Sequence, residues 1–76
     1  MNEANQELDA RNLNCPLPIL RAKKILNSME SGQTVKILAT DPGSVKDFAA
    51  FANQTGNELM ETEEVGSEYH FLLKKG

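Results

Sequence analysis

Residues 16–44 read PLPILRAKKILNSM (16–29), ESGQ (30–33), TVKILAT (34–40) and DPGS (41–44), a helix pattern followed by a strand pattern with a turn at each end. Ile19, Ala22, Leu26 and Met29 recur at helical spacing with Ile25 beside them, while Arg21, Lys24 and Ser28 share the opposite side. Gly32 supplies the stop. Thr34 to Thr40 is rich in β-branched and aliphatic residues and puts Val35, Ile37 and Ala39 on one face, and Asp41-Pro42-Gly43-Ser44 then turns the chain. Ahead of the helix a short strand is expected. The segment Glu7–Leu13 supplies one, with Leu8 and Ala10 alternating against Asp9 and Arg11, and Leu13 off register.

Downstream, Ser44 stands three residues before Asp47, a spacing that predicts a capping box at the start of a second helix. Val45, Phe48, Ala49 and Ala52 form its expected buried stripe, and Gly56 is placed to end it in the left-handed conformation. Leu59–Val65 and Glu68–Lys74 are strands joined by a hairpin at Gly66-Ser67, with Tyr69, Phe71 and Leu73 alternating against His70 and Leu72. The order βαβαββ predicts an α/β (α+β) two-layer sandwich: a four-stranded mixed sheet with two helices on one face and a right-handed crossover between the first two strands.

Composition bounds the function. At 76 residues, 39% hydrophobic and 25% charged, the chain fits one globular domain over 1–76, with residues 1–6 expected as a flexible N-terminal extension. No apolar run approaches the roughly 18 residues a bilayer span needs, and the polar, acidic start lacks the features of a secretory signal, so a cytoplasmic protein is expected. A net charge of −3 argues against nucleic-acid binding. The charge is uneven. Residues 1–38 carry five basic and four acidic groups, and residues 39–76 carry three and seven, so an anion-facing surface belongs to the first half.

Cys15 is the only cysteine and His70 the only histidine, which excludes an internal disulfide and a zinc site built on cysteine pairs; no metal is expected. The string Cys15-Pro16-Leu17-Pro18 puts this lone thiol where a loop becomes a helix. Pro16 suits the first helical position, Pro18 removes a further orphan donor, and the Leu17 N–H is left for the sulfur. Cys15 as N-cap would then have its pKa lowered by about one unit. The competing reading is a small buried hydrophobe, which is what a free cysteine most often is. A thioredoxin-type reductase is disfavoured because Pro18 stands where a resolving thiol would be.

Leu8-Asp9-Ala10, Leu13, Cys15-Pro16-Leu17-Pro18, Lys24, Gly32, Asp41-Pro42 and Asp47, taken in order, resemble the TusA/SirA-like sulfur carrier family over Leu8–Lys75. The resemblance implies the same βαβαββ sandwich. It also implies a sulfurtransferase-type carrier that accepts sulfane sulfur as a persulfide on Cys15, typically from a pyridoxal-phosphate cysteine desulfurase, and passes it to an acceptor protein. The family's routes include tRNA thiolation, molybdenum-cofactor maturation and sulfur metabolism. No cofactor is expected beyond the covalent sulfur, and the protein is an enzyme only if protein-to-protein sulfur transfer is counted. Many members have glycine where this chain has Asn12, the non-glycine residue that best tolerates positive φ.

Leu17, Arg21 and Lys24, at i, i+4 and i+7, form the expected docking face for donor and acceptor, against the alternative of an ordinary solvated helix face. Asp9 and Asp41 either orient the cysteine loop or end their strands. His70 is expected at the surface, and Glu58, Glu61, Glu63, Glu64 and Glu68 are expected to solvate and protect an edge. A function of another class, a non-catalytic regulatory, protein- or RNA-binding module on the same fold, stands as the alternative.

Overall fold

A computed structural model describes residues 4–76. Its elements are β1 (Gln6–Ala10), α1 (Leu17–Asn27), β2 (Thr34–Ala39), α2 (Ser44–Thr55), β3 (Glu58–Val65) and β4 (Glu68–Lys74). The sheet order is β1-β2-β4-β3, with β1 parallel to β2 and the other pairs antiparallel. This is the expected four-stranded mixed sheet with two helices. Of the flexible extension expected over 1–6, Gln6 instead opens β1 and the Asn5 N–H donates to the Thr34 carbonyl at 3.0 Å; residues 1–3 lie outside the described residues.

Strand alternation makes one face of the sheet the core. Leu8, Ile37 and Phe71 align across β1, β2 and β4, as do Ala10, Ala39 and Tyr69 one step along. Onto this face α1 presses Ala22 and Leu26, and α2 presses Phe48, Phe51 and Ala52, all buried. Phe48 is the hub: its ring lies 4.7 Å from that of Phe71 and meets Phe51 edge-on at 6.4 Å. Val35, Ile37 and Ala39 share the buried face as the alternation predicts.

The stripe of α2 is rotated from the expected one. Ser44, Phe48, Phe51 and Ala52 point inward, while Val45 is 36% exposed and Ala49 is exposed too. Burying a second phenylalanine in place of an alanine removes more apolar surface from water, and this decides the rotation. The capping box does not form. Ser44 is already the first helical residue, and its hydroxyl donates back to the Asp41 carbonyl at 2.6 Å, so Gly43 is the N-cap. Gly56 does end α2 in the left-handed region, at φ 74°.

Because β1 and β2 are parallel and each is followed by its helix, both helices begin at the same end of the molecule. That end, beyond the carboxyl ends of two parallel strands, is where open α/β sheets place their sites.

Candidate functional site

Cys15 sits at this end, exposed, on the loop from β1 to α1. Its exposure overturns the buried-hydrophobe reading. Ahead of it, Asn12 has φ 66°, the positive value that its place in the glycine position anticipates, and its N–H donates to Thr40 Oγ1 at 2.9 Å. The Cys15 N–H donates to Asp41 Oδ2 at 3.0 Å, while Asp41 Oδ1 accepts the Gly43 N–H at 3.1 Å. Of the two roles open to Asp41, it takes the first: one carboxylate ties the cysteine loop to the turn that starts α2.

Asp9 takes the other role. Its carboxylate accepts from the Arg11 N–H at 3.1 Å and from the Arg11 guanidinium at 2.9 Å, at the end of its strand and away from the cysteine backbone. These bonds, the side-chain ones first, hold the Asp9 carboxyl down at about 2. Arg11 also reaches Glu68 Oε2 at 3.4 Å, and Glu68 Oε1 lies 3.0 Å from His70 Nε2. His70 is therefore more enclosed than a surface residue and is engaged with Glu68. Those two contacts hold the Glu68 carboxyl below its ordinary range, His70 contributing most.

The local electrostatics correct the expected N-cap. Helix α1 begins at Leu17 with Pro16 as its N-cap, and the Leu17 N–H donates to the Asn14 carbonyl at 2.9 Å across a turn that contains the cis Cys15–Pro16 bond. Leu17's donor is thus taken, and Pro18 has none to offer. The sulfur gains no backbone donor from these positions. Chiefly through Asp47, then through loss of solvent and the charges of Asp47 and Asp41, the thiol pKa is raised, opposite to the expected direction. The spacing that suggested a capping box does place Asp47 in the first turn of α2, without the cap bond.

On α1, Leu17 (43% exposed), Arg21 and Lys24 share a solvent face. Leu20, 54% exposed, belongs to it as well and was missed in the sequence, although its i+3 spacing from Leu17 and i+4 spacing to Lys24 contain it. Val45, at the start of α2, adds a further exposed apolar side chain at the same end. The α1 cations are not among the groups that shift the thiol. Pro16 is exposed and Pro18 buried, so only the second is anchored in the fold.

The fold and this end of it define a class: a small α/β protein that presents one exposed cysteine, on a CPxP loop, to whatever binds there. The family model of sulfurtransferase TusA matches residues 6–75. The chain is 69% identical over 75 residues to the sulfur carrier protein TusA of Allochromatium vinosum, covering 99% of each. It is 39% identical over 74 residues to the putative sulfur carrier protein YrkI of Bacillus subtilis, covering 97% of this chain and 99% of that one. In structure it resembles a SirA-like protein from Desulfitobacterium hafniense with a TM-score of 0.80 at 27% identity, over 93% of this chain and 97% of that one. The chain belongs to the TusA family of sulfur carriers.

Proposed function

We propose that Cys15 accepts sulfane sulfur from a donor protein, holds it as a persulfide, and relays it to an acceptor protein. The observation that carries this reading is the exposed cysteine fixed by Asp41 at the end where both helices begin. Family membership supplies the chemistry. A sulfur carrier works between a donor and an acceptor, and a cysteine desulfurase fits the donor's role. The relay step is common to tRNA thiolation, molybdenum-cofactor maturation and sulfur metabolism, and we place it in the cytoplasm. No helix of the described residues is long and apolar enough to cross a membrane.

Leu17, Leu20, Arg21 and Lys24 would meet the partner, with Asn12, Pro16 and Pro18 shaping the loop between. The test uses Cys15→Ser. This variant is expected to fold, to bind a cysteine desulfurase and to accept no sulfur from it. Sulfur found on the serine variant would overturn the assignment to Cys15, and loss of binding together with loss of the fold would return the cysteine to a structural role.

A further inference from the structure

Between β1 and α1 most backbone donors are met close by. The Arg11 N–H goes to the Asp9 carboxylate at 3.1 Å, the Leu13 N–H to the Ala10 carbonyl at 3.3 Å, and the Leu17 N–H to the Asn14 carbonyl at 2.9 Å. Among the described residues, two N–H groups of this segment reach a partner outside β1 and the loop itself. Asn12 donates to Thr40 Oγ1 at 2.9 Å and Cys15 to Asp41 Oδ2 at 3.0 Å. Both acceptors are consecutive residues directly after β2. Their base is firm: β2 is an inner strand flanked by β1 and β4, and Ala39 is fully buried. The Asp41 carbonyl also takes the N–H of the buried Ser44 at 3.0 Å and its hydroxyl at 2.6 Å.

Asn12 needs such a hold. At φ 66° it lies in the left-handed region, where a residue other than glycine stays only if its surroundings keep it there. Leu13, packed against the core, anchors the next position by its side chain. Without the Thr40 hydroxyl the Asn12 N–H loses its partner, and the loop is tied to the end of β2 by the Cys15 bond alone.

The position of the sulfur matters to the transfer step. The Cys15 thiolate attacks the terminal sulfur of the donor's persulfide, a new S–S bond forms on Cys15, the donor's S–S bond breaks, and the donor's cysteine leaves as a thiolate. One sulfane sulfur has moved with no net oxidation. Attack at sulfur needs the three sulfurs near one line. When the donor is a protein, folded chains carry both ends, and a loop set in advance reaches that line more often. A small persulfide can follow the sulfur wherever it goes.

We propose, resting on the carrier reading above, that Thr40 is a positioning residue for sulfur uptake. Its hydroxyl, with the Asp41 carboxylate beside it in sequence, clamps the cysteine loop in the geometry that a protein-bound persulfide meets. It acts through the Asn12 N–H and not on the sulfur.

The test measures single-turnover sulfur uptake by the full chain, read by intact mass, from a persulfide-loaded cysteine desulfurase and from glutathione persulfide. Thr40→Val keeps the branched shape and removes the acceptor. It is expected to lower the maximal rate from the desulfurase roughly tenfold while the half-saturating donor concentration changes less than about twofold. Uptake from glutathione persulfide is expected to fall by at most about twofold, and hydrogen exchange of the Asn12 amide to quicken roughly fivefold or more. Thr40→Ser returns the hydroxyl and is expected to restore all of these toward wild type. Thr40→Ala repeats the measurements if the valine variant does not fold. A folded variant without the hydroxyl overturns the proposal if it takes sulfur from the desulfurase at the wild-type rate, is slowed equally with both donors, or changes only the half-saturating concentration. A wild-type chain that takes up no sulfur from either donor overturns the carrier reading instead, and the Asn12 exchange then still reports whether Thr40 clamps the loop.

Discussion

At the scale of single residues, charge placement is the feature that the sequence conveyed least. Cys15-Pro16-Leu17-Pro18 announced the reactive position, but the direction of the thiol's pKa depended on which N–H was free and which carboxylate arrived from elsewhere. A shift of one residue in the helix start gave the Leu17 N–H to Asn14. Asp41, 26 residues away in sequence (41 − 15), comes in from the turn between β2 and α2. No local pattern encodes that approach. The Asp9–Arg11 pair tests the same electrostatics where no sulfur is involved. Asp9 is lowered from 3.8 to about 2 in the fold. A depressed folded pKa contributes stability above the unfolded value, and that contribution is lost as pH falls from 3.8 through about 2. Both side chains are well exposed, so solvent and salt screen the contribution. In Arg11→Gln, the Asp9 carboxyl carbon is expected to titrate by NMR close to its ordinary value. An unchanged midpoint would mean that Arg11 is not what holds it.

At the scale of elements, the helices and strands were legible because their periods are strong and their stops are glycines. Strand β4 falls on Glu68–Lys74 as expected, and α2 ends at Gly56. The face of α2 was legible only in part, since Phe51 competes with Ala49 for the interior and side-chain size, not spacing, decides. Phe48 lies under the sheet in either reading. Phe48→Ala is expected to cost about 3–5 kcal/mol. A core of this size rarely yields more than ~3–5 kcal/mol, so the variant should be largely unfolded by circular dichroism at 25 °C. A cooperative thermal transition near that of wild type would show that the Phe48–Phe71 contact is not the hub. The exposed face of α1 has a kinetic signature. Arg21→Glu combined with Lys24→Glu is expected to slow sulfur uptake from a protein donor about three- to tenfold at low salt, with less slowing as salt rises. Uptake from glutathione persulfide should stay largely intact, because rim charges act mainly on the association of two proteins. Equal slowing with both donors would place the cations at the chemistry rather than at docking.

At the scale of the whole molecule, topology turns a modest sequence into a site. Parallel pairing of β1 with β2 brings two helix starts to one end, and the Asp41 carboxylate joins the loop of one to the turn of the other. The far edge of the sheet carries the acidic residues: β3 is an edge strand lined by Glu58, Glu61, Glu63 and Glu64, all exposed, which suits edge protection. The element order predicted the four-stranded mixed sheet and its two helices, since few arrangements of βαβαββ cover one sheet face with two helices, but not the strand order β1-β2-β4-β3. What the order could not supply was which side chains would meet across the gap between the two helix starts. The claim that rests on that meeting is that Cys15, and nothing else in the chain, carries sulfur. The most direct measurement is the intact mass of the wild-type protein after incubation with a cysteine desulfurase and cysteine, followed by mapping of the modified peptide. The expected result is one added sulfur atom, located on Cys15 and removed by a reducing thiol; an unmodified mass, or sulfur on any other residue, would contradict it.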